Sequence, residues 1–111
     1  MAVYREADRA SEEEYSMAAY VIAEIETTDP EEMQRYRDAA PATIAAHGGR
    51  YIVRGGAVQT LEGGWAPPRL AVLEFETAEQ ARRWWECEEY RELKALRQRA
   101  GRTRMVLVEG V

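Results

Sequence analysis

The sequence predicts one domain of the α+β class, with the element order β-α-β-β-α-β and helices on one face of an antiparallel sheet. Three observations support this prediction: four short apolar segments, a helix-start signal after two of them, and glycine-rich punctuation between elements. At 111 residues, the chain is long enough for one domain and too short for two.

The first strand and the start of the first helix are adjacent in the sequence. Residues 18–26, AAYVIAEIE, alternate their side chains between two faces, as a β-strand does. In the following TDPEE segment, Asp29 is a suitable N-cap and Pro30 suits the first helical position. Glu32 completes a capping-box-like start, so a helix is predicted to begin here.

Apolar spacing predicts the extent of this helix. One stripe recurs at intervals of three and four residues: Met33, Tyr36, Ala40, Ile44 and His47. Pro41 lacks a backbone donor and crowds the carbonyl four residues earlier, so we expect a kink near Arg37. Gly48 and Gly49 follow the stripe, where a helix commonly ends on a left-handed glycine.

The second strand is predicted at RYIVRG, residues 50–55. Gly55 and Gly56 interrupt it before AVQTL, which indicates a bulge or sharp bend within a hairpin arm. A phosphate-binding loop would place its glycines after a strand and at the start of a helix. Here the helix precedes the strand, so the glycines are interpreted as punctuation between elements.

The second half of the chain repeats the strand–helix pattern. EGGWAPP is a connector and RLAVLEFE is the third strand. Thr77 and Gln80 form a capping box for one long helix ended by Gly101, and TRMVLVEGV is the fourth strand. The helix is predicted to run through the following positions: Ala81, Trp84, Trp85, Tyr90, Leu93, Leu96, Arg97 and Ala100. The order is the split, ferredoxin-like arrangement, in which the first and third strands lie centrally.

The two central strands are apolar on both faces. Helices cover only one face of such a sheet, and a solvated face would alternate polar residues more cleanly. The second face therefore predicts a partner, most simply the same face of a second copy related by a twofold axis.

Composition excludes several classes of protein. Residues 1–16 hold five acidic and two basic residues, and residues 17–111 hold 15 and 13. This balance argues against a nucleic-acid binder, as do Glu74 and Glu76 on the third strand, where an RNA-recognition domain would carry exposed aromatic and basic residues. No transmembrane span or signal peptide is evident, so the expected location is the cytoplasm. Residues 1–16 lack apolar periodicity and are predicted to be a flexible extension before a domain at 17–111.

The motifs from residue 18 to the C-terminus resemble the family catalogued as domain of unknown function 1330, within the dimeric α+β barrel superfamily. The TDP helix start, HGGRYIVRGG, LEGGW, PPR, LEF and EYRELKALR occur in the same order. The resemblance implies a homodimer whose two sheets face each other and implies no established reaction. Superfamily relatives include cofactor-free monooxygenases, muconolactone isomerases and haem-dependent chlorite dismutases, so the scaffold does not determine the chemistry.

This chain departs from the family pattern at WWECEEY. The family usually carries a small residue and a proline before its EY, whereas this chain has Cys87 and Glu88. The helix is therefore expected to run on with less of a break. Cys87 lies among three glutamates, which disfavour the thiolate, so a reactive nucleophile is not expected there. With one cysteine and one distant histidine, no metal site is expected either, and no cofactor is implied.

The candidate catalytic residues are His47, Glu24 and Glu74. His47 is the only side chain with a reference pKa near neutrality, although a helix C-terminus also favours its charged form for structural reasons. Glu24, Glu74 and Arg54 are charges on otherwise apolar strands, where an unpaired buried charge is costly. If their strand phases coincide, all three point into the cleft between sheet layers. Arg54 would then anchor an anionic molecule with a glutamate as partner or base; the competing interpretation is a structural ion-pair network.

Candidate substrate-binding residues other than Arg54 are Arg69, Tyr36 and Trp84. They could wall a pocket, with aromatic area and an orienting arginine, or simply belong to the core or interface. Two function classes follow: a cofactor-independent enzyme or binder of a small anionic or carbonyl-bearing metabolite, and a non-catalytic homodimeric interaction or structural protein.

Overall fold

The computed structural model describes residues 17–111; the predicted N-terminal extension lies outside the described residues. The elements in chain order are β1 (Ala19–Thr27), α1 (Pro30–Ala46), β2 (Arg50–Arg54), β3 (Leu70–Phe75), α2 (Ala78–Glu86), α3 (Glu88–Ala100) and β4 (Gly101–Glu109). All strand pairs are antiparallel and the sheet order is β2-β3-β1-β4. The α+β class, the ferredoxin-like order and the central first and third strands are confirmed.

Both predicted helix starts are present. The Asp29 side chain accepts from the Glu32 N–H at 3.2 Å, and the Thr77 hydroxyl accepts from the Gln80 N–H at 3.1 Å. These bonds satisfy donors that the first turn of a helix leaves free. The reciprocal half of the first capping box is absent, because the Glu32 carboxylate pairs with Arg35 and Arg99 instead.

The helices cover one face of the sheet and enclose the core. The predicted stripe of α1 is buried at Met33, Tyr36, Ala40 and Ile44. Facing it are Val21, Ala23, Leu73 and Phe75 of the central strands, with Trp84 and Tyr90 of α2 and α3. None of the helices in this part of the chain is long and apolar enough to cross a membrane; the cytoplasmic location stays a prediction.

The opposite face of the sheet is open. One row of four aliphatic side chains crosses it in the order Val53, Val72, Ile22 and Val106, as the strand register shows. Val106 is 59% exposed. Because directly paired residues point to the same side of a sheet, this row forms a continuous apolar band on the uncovered face.

Two sequence predictions about the elements are wrong. The long second helix is divided at Cys87, whose backbone is extended (φ −74°, ψ 157°), so α2 and α3 are separate helices despite the missing proline. The irregularity in the second strand falls between Tyr51 and Val53, before the glycine pair, and β2 ends at Arg54 with no further strand before Leu70. The break brings Cys87 close to His47, and the irregularity in β2 places Arg54 opposite Ala71.

The first helix runs through Pro41 without interruption. Proline has no N–H, so the carbonyl of Arg37, four residues earlier, loses its helical partner. The Arg54 guanidinium supplies a replacement, with Nη2 donating to the Arg37 carbonyl oxygen at 2.6 Å. The end of β2 is thereby tied to the middle of α1.

Candidate functional site

Three arginines converge beside Tyr51 at the end of β2. The Arg54 guanidinium lies 4.4 Å from the centre of the Tyr51 ring. Arg69, just before β3, lies against Gly55: a Cβ there would fall 2.7 Å from Arg69 Nη2. Gly55 has a φ of +75°, which glycine adopts without steric cost, so the backbone favours glycine here, and a larger residue would also displace the Arg69 guanidinium. Arg37 of α1 completes the group.

The positive charges of this group change the pKa values of its members. Burial, Arg37 and Arg54 together lower the pKa of Arg69. Burial raises the pKa of Tyr51 against the opposing effect of the three arginines, so its hydroxyl stays protonated at neutral pH. Within residues 17–111, none of the ion pairs includes Arg37, Arg54 or Arg69. The charges repel one another without a carboxylate from this part of the chain between them.

A buried tyrosine pair with a further arginine lies in the same region. The hydroxyls of Tyr36 and Tyr90 are 2.7 Å apart, and Arg97 Nε donates to the Tyr90 oxygen at 3.4 Å. Arg97 is only 3% exposed and has no carboxylate partner among the described residues. Burial raises the pKa of Tyr36 strongly, with Tyr90 and Tyr51 adding to the effect. We call the following set the arginine–tyrosine cluster: Tyr36, Arg37, Tyr51, Arg54, Arg69, Tyr90 and Arg97.

Glu24 and Glu74 do not join Arg54, contrary to the expectation from strand phase. Both lie on the open face: Glu24 accepts from Arg104 Nη2 at 2.6 Å, and Glu74 pairs with Arg50 Nη2 at 2.8 Å. Arg104 and then Trp65, which donates to the carboxylate at 3.4 Å, hold the pKa of Glu24 below its usual value. Arg54 pairs with the buried Ala71 instead, because the bulge in β2 turns it to the helix side. The two glutamates therefore belong to cross-strand ion pairs.

His47 is also remote from the arginines. Ten residues of helix separate it from Arg37, a rise of about 15 Å. It ends α1 and meets two residues of the α2–α3 junction: atoms of His47, Cys87 and Glu89 that can act as metal ligands all lie within 4.8 Å of one another. Sequence spacing did not predict this group of three residues, because their proximity depends on the helix break at Cys87.

Trp84 belongs to the core. It is 1% exposed, its ring centre lies 4.2 Å from that of Tyr90, and its Nε1 donates to the Thr43 hydroxyl at 3.1 Å. With Trp85 it also borders a cavity of about 190 Å³ under the edge strand β4, lined mainly by apolar side chains. Tyr36 is likewise buried, whereas Arg54 is exposed and Arg69 half-buried. Of the predicted binding residues, Arg54, Arg69 and Tyr36 come together, and sequence reasoning missed Tyr51, Arg37 and Arg97.

These features define a class: a four-stranded ferredoxin-like α+β protein with an arginine-rich cluster on the helix side of its sheet. The family profile described as domain of unknown function 1330 matches residues 18–111, so the chain belongs to that family. No curated protein sequence matches it.

Solved structures share the fold at low sequence identity. A protein of unknown function from Rhodopseudomonas palustris is 14% identical, with a TM-score of 0.71 over 87% of this chain and 85% of its own. SnoaB from Streptomyces nogalater, a cofactor-independent oxygenase, is 12% identical, with a TM-score of 0.56 over 87% and 95% of the two chains. A conserved protein from Methanosarcina mazei Go1 is 19% identical, with a TM-score of 0.55 over 86% and 94%. At these identities the likeness establishes the fold alone.

Proposed function

We propose that the protein is a homodimer that binds a small carboxylate-bearing metabolite at the arginine–tyrosine cluster. The observation that carries this proposal is that Arg54 lies over the Tyr51 ring with Arg37 and Arg69 near enough to affect the Tyr51 pKa, while none of the ion pairs within residues 17–111 includes these arginines. A guanidinium group matches a carboxylate in a bidentate geometry, and an anion offsets the repulsion between the arginines.

The donors needed for such a ligand are present. Arg54 uses Nη2 on the Arg37 carbonyl, and a guanidinium group has further N–H donors on its other nitrogens. Arg69 supplies a second guanidinium, which lies against Gly55. The protonated hydroxyl of Tyr51 is a neutral donor beside both, suited to polarising a carbonyl group. The ligand therefore carries a carboxylate, and a neighbouring carbonyl or hydroxyl group is favoured.

This site is compatible with cofactor-independent chemistry. SnoaB, which shares the fold, is described as a cofactor-independent oxygenase. The catalytic roles first assigned to His47, Glu24 and Glu74 do not enter the proposal, because these side chains lie at the far end of α1 or on the open face. Tyr51 and the arginines carry it instead.

The homodimer rests on the open face of the sheet. The aliphatic row from Val53 to Val106 is too apolar to face water across four strands, and a second copy would bury it. The pairs Glu24–Arg104 and Glu74–Arg50 lie on the same face on either side of this row, as the polar rim of an interface does. Placing the ligand on the helix side leaves this face free for the partner.

Carboxylate binding is tested by thermal shift with acetate, benzoate, succinate and phosphate at constant ionic strength. A ligand that binds only the native state raises Tm in a saturable way. Arg69→Gln is expected to weaken binding about 30-fold, since a charged hydrogen bond contributes about 2 kcal/mol. Arg83→Gln, on the exposed side of α2, is the control and keeps the response. A response equal in Arg69→Gln and the native protein contradicts the site; no saturable response to any carboxylate favours the non-catalytic interaction protein.

The dimer is tested separately by sedimentation of Val106→Glu. This side chain is exposed in the single chain, so folding tolerates the change while a buried carboxylate at the interface does not. We expect a monomer for this variant and a dimer for Ala39→Glu, an equal change on an exposed position of α1. A dimeric Val106→Glu, or a monomeric native protein, contradicts the open-face interface.

A further inference from the structure

The one histidine and the one cysteine of the chain meet at the end of α1, together with Glu89. We propose that His47, Cys87 and Glu89 bind a divalent transition-metal ion of the zinc class, with three protein ligands and one open position. The site is separate from the arginine–tyrosine cluster and independent of the function proposed for it.

The separations fit a tetrahedral ion after small side-chain movements. With zinc bonds of about 2.0–2.3 Å to nitrogen, oxygen and sulfur, the ligand atoms of a tetrahedral site lie about 3.5 Å apart. The three candidate atoms lie within 4.8 Å of one another. Glu89 is exposed and its side chain has three torsions to rotate, so the carboxylate can approach the other two ligands without a backbone shift at Glu89.

The backbone holds two of the ligands in place. The extended conformation of Cys87 separates α2 from α3 and turns the thiol toward the end of α1. On the other side, His47 is followed by Gly48 at φ +79° and by Gly49, where a Cβ would fall 2.7 Å from Cζ of the buried Phe75 ring. The glycine turn therefore sits directly on the core and fixes the position of the helix end.

The hydrogen bond of the His47 ring favours the tautomer that a metal ligand requires. Its Nδ1 lies 3.1 Å from the Thr43 carbonyl oxygen, and a carbonyl can only accept. Nδ1 therefore carries the hydrogen, and Nε2 keeps its lone pair for an ion. A second ring nitrogen bonded to a backbone carbonyl is the usual support of a metal-bound histidine.

Local charge favours a cation. The segment ECEE at 86–89 places Cys87 among three carboxylates. Burial and then Glu89 raise the pKa of the Cys87 thiol, which argues against a free nucleophile; a bound cation reverses this effect by holding the thiolate. Sulfur and imidazole ligands select zinc, cobalt or copper over magnesium and calcium, and the open fourth position leaves room for water or a substrate oxygen.

The experiment is a titration of the metal-free, reduced full-length chain, without a histidine tag, by Co²⁺. A thiolate-to-cobalt charge-transfer band can come only from Cys87, because the chain has no other cysteine. We expect one equivalent of Co²⁺ to produce this band with the intense visible absorption of a tetrahedral ion, and Zn²⁺ to displace it.

Variants assign the other two ligands. His47→Gln and Glu89→Gln are each expected to weaken Co²⁺ binding at least about 100-fold, more than the 10–100-fold typical of outer-shell changes. Glu92→Gln, an equal change on an exposed position of α3, leaves it unaltered. Absence of the charge-transfer band in the native protein, or a His47→Gln variant that binds Co²⁺ as tightly as the native protein, overturns the proposal. His47→Gln keeps the test decisive if Cys87→Ser does not fold.

Discussion

The hydrogen bonds among Tyr36, Tyr90 and Arg97 predict unequal costs for two tyrosine-to-phenylalanine substitutions. Both variants keep the aromatic ring, so packing and the contact of Arg97 Cζ with the Tyr36 ring centre at 5.8 Å persist. Only hydroxyl groups are lost. The Tyr90 oxygen accepts from Arg97 and bonds to Tyr36, whereas the Tyr36 oxygen bonds to Tyr90 alone among these residues.

The magnitudes follow from which groups remain without a partner. Tyr36→Phe removes one neutral hydrogen bond and leaves the Tyr90 oxygen bonded to Arg97, a cost of about 1 kcal/mol. Tyr90→Phe leaves the Tyr36 hydroxyl and the buried Arg97 guanidinium without that acceptor, a cost of about 3 kcal/mol because one of these groups is charged. In the double variant the Tyr36 hydroxyl is absent as well, so the double variant costs about 3 kcal/mol rather than the additive value of about 4 kcal/mol.

Urea unfolding followed by circular dichroism, at one protein concentration, measures these differences. Tyr20→Phe is the control, since Tyr20 donates to Glu74 only at 3.4 Å on the partly exposed open face; a change under about 0.5 kcal/mol is expected. Equal costs for Tyr36→Phe and Tyr90→Phe, or strict additivity in the double variant, would refute the assigned hydrogen-bond order.

Three further substitutions test other parts of the fold. Gly49→Ala places a methyl group against the Phe75 ring and is expected to lower the free energy of unfolding by about 1–3 kcal/mol in urea titrations. Glu24→Gln removes the ion-pair partner of Arg104. The pKa of Glu24 is lowered from 4.5 in the folded protein, so the carboxylate stabilises the fold above pH 4.5. This stabilisation is lost as the pH falls through the folded-state pKa. The stability difference between this variant and the native protein should therefore shrink as the pH falls below 4.5 and vanish below the folded-state pKa of Glu24. Leu61→Ser changes a side chain that is 92% exposed and should alter stability by less than about 0.5 kcal/mol.

The fold was predictable where local signals and burial agree. Asp29 and Thr77 act as N-caps as expected, because a cap depends only on residues within one turn. Alternation in β1 likewise fixed which side chains face the helices. The apolar character of the open face was also predictable from these strands, because a face exposed to solvent would carry more polar residues.

The candidate site was less predictable because it depends on single residues that interrupt regular elements. The break at Cys87 follows from no local rule: the segment contains neither proline nor glycine. Without that break, a histidine and a cysteine forty positions apart give no metal-binding spacing. The role of Arg97 was not predictable either. Its position in the apolar stripe is typical of a core residue, whereas its guanidinium is a buried donor.

The bulge in β2 determines which side of the sheet carries the Arg54 charge, because successive residues of a strand alternate between the two faces. In a regular strand Arg54 would oppose Leu70, the β3 partner of Glu24, and would point into the uncovered face. The extra residue between Tyr51 and Val53 shifts the count by one, so Arg54 opposes Ala71 and reaches α1. Deleting Ile52 would remove the bulge and leave Arg54 opposite Ala71, still on the helix side, whereas a strand that kept Ile52 and paired it with Val72 would carry Arg54 to the open face. The local register of β2, rather than the identity of residue 54, thus sets which side of the sheet carries the side chain at this position.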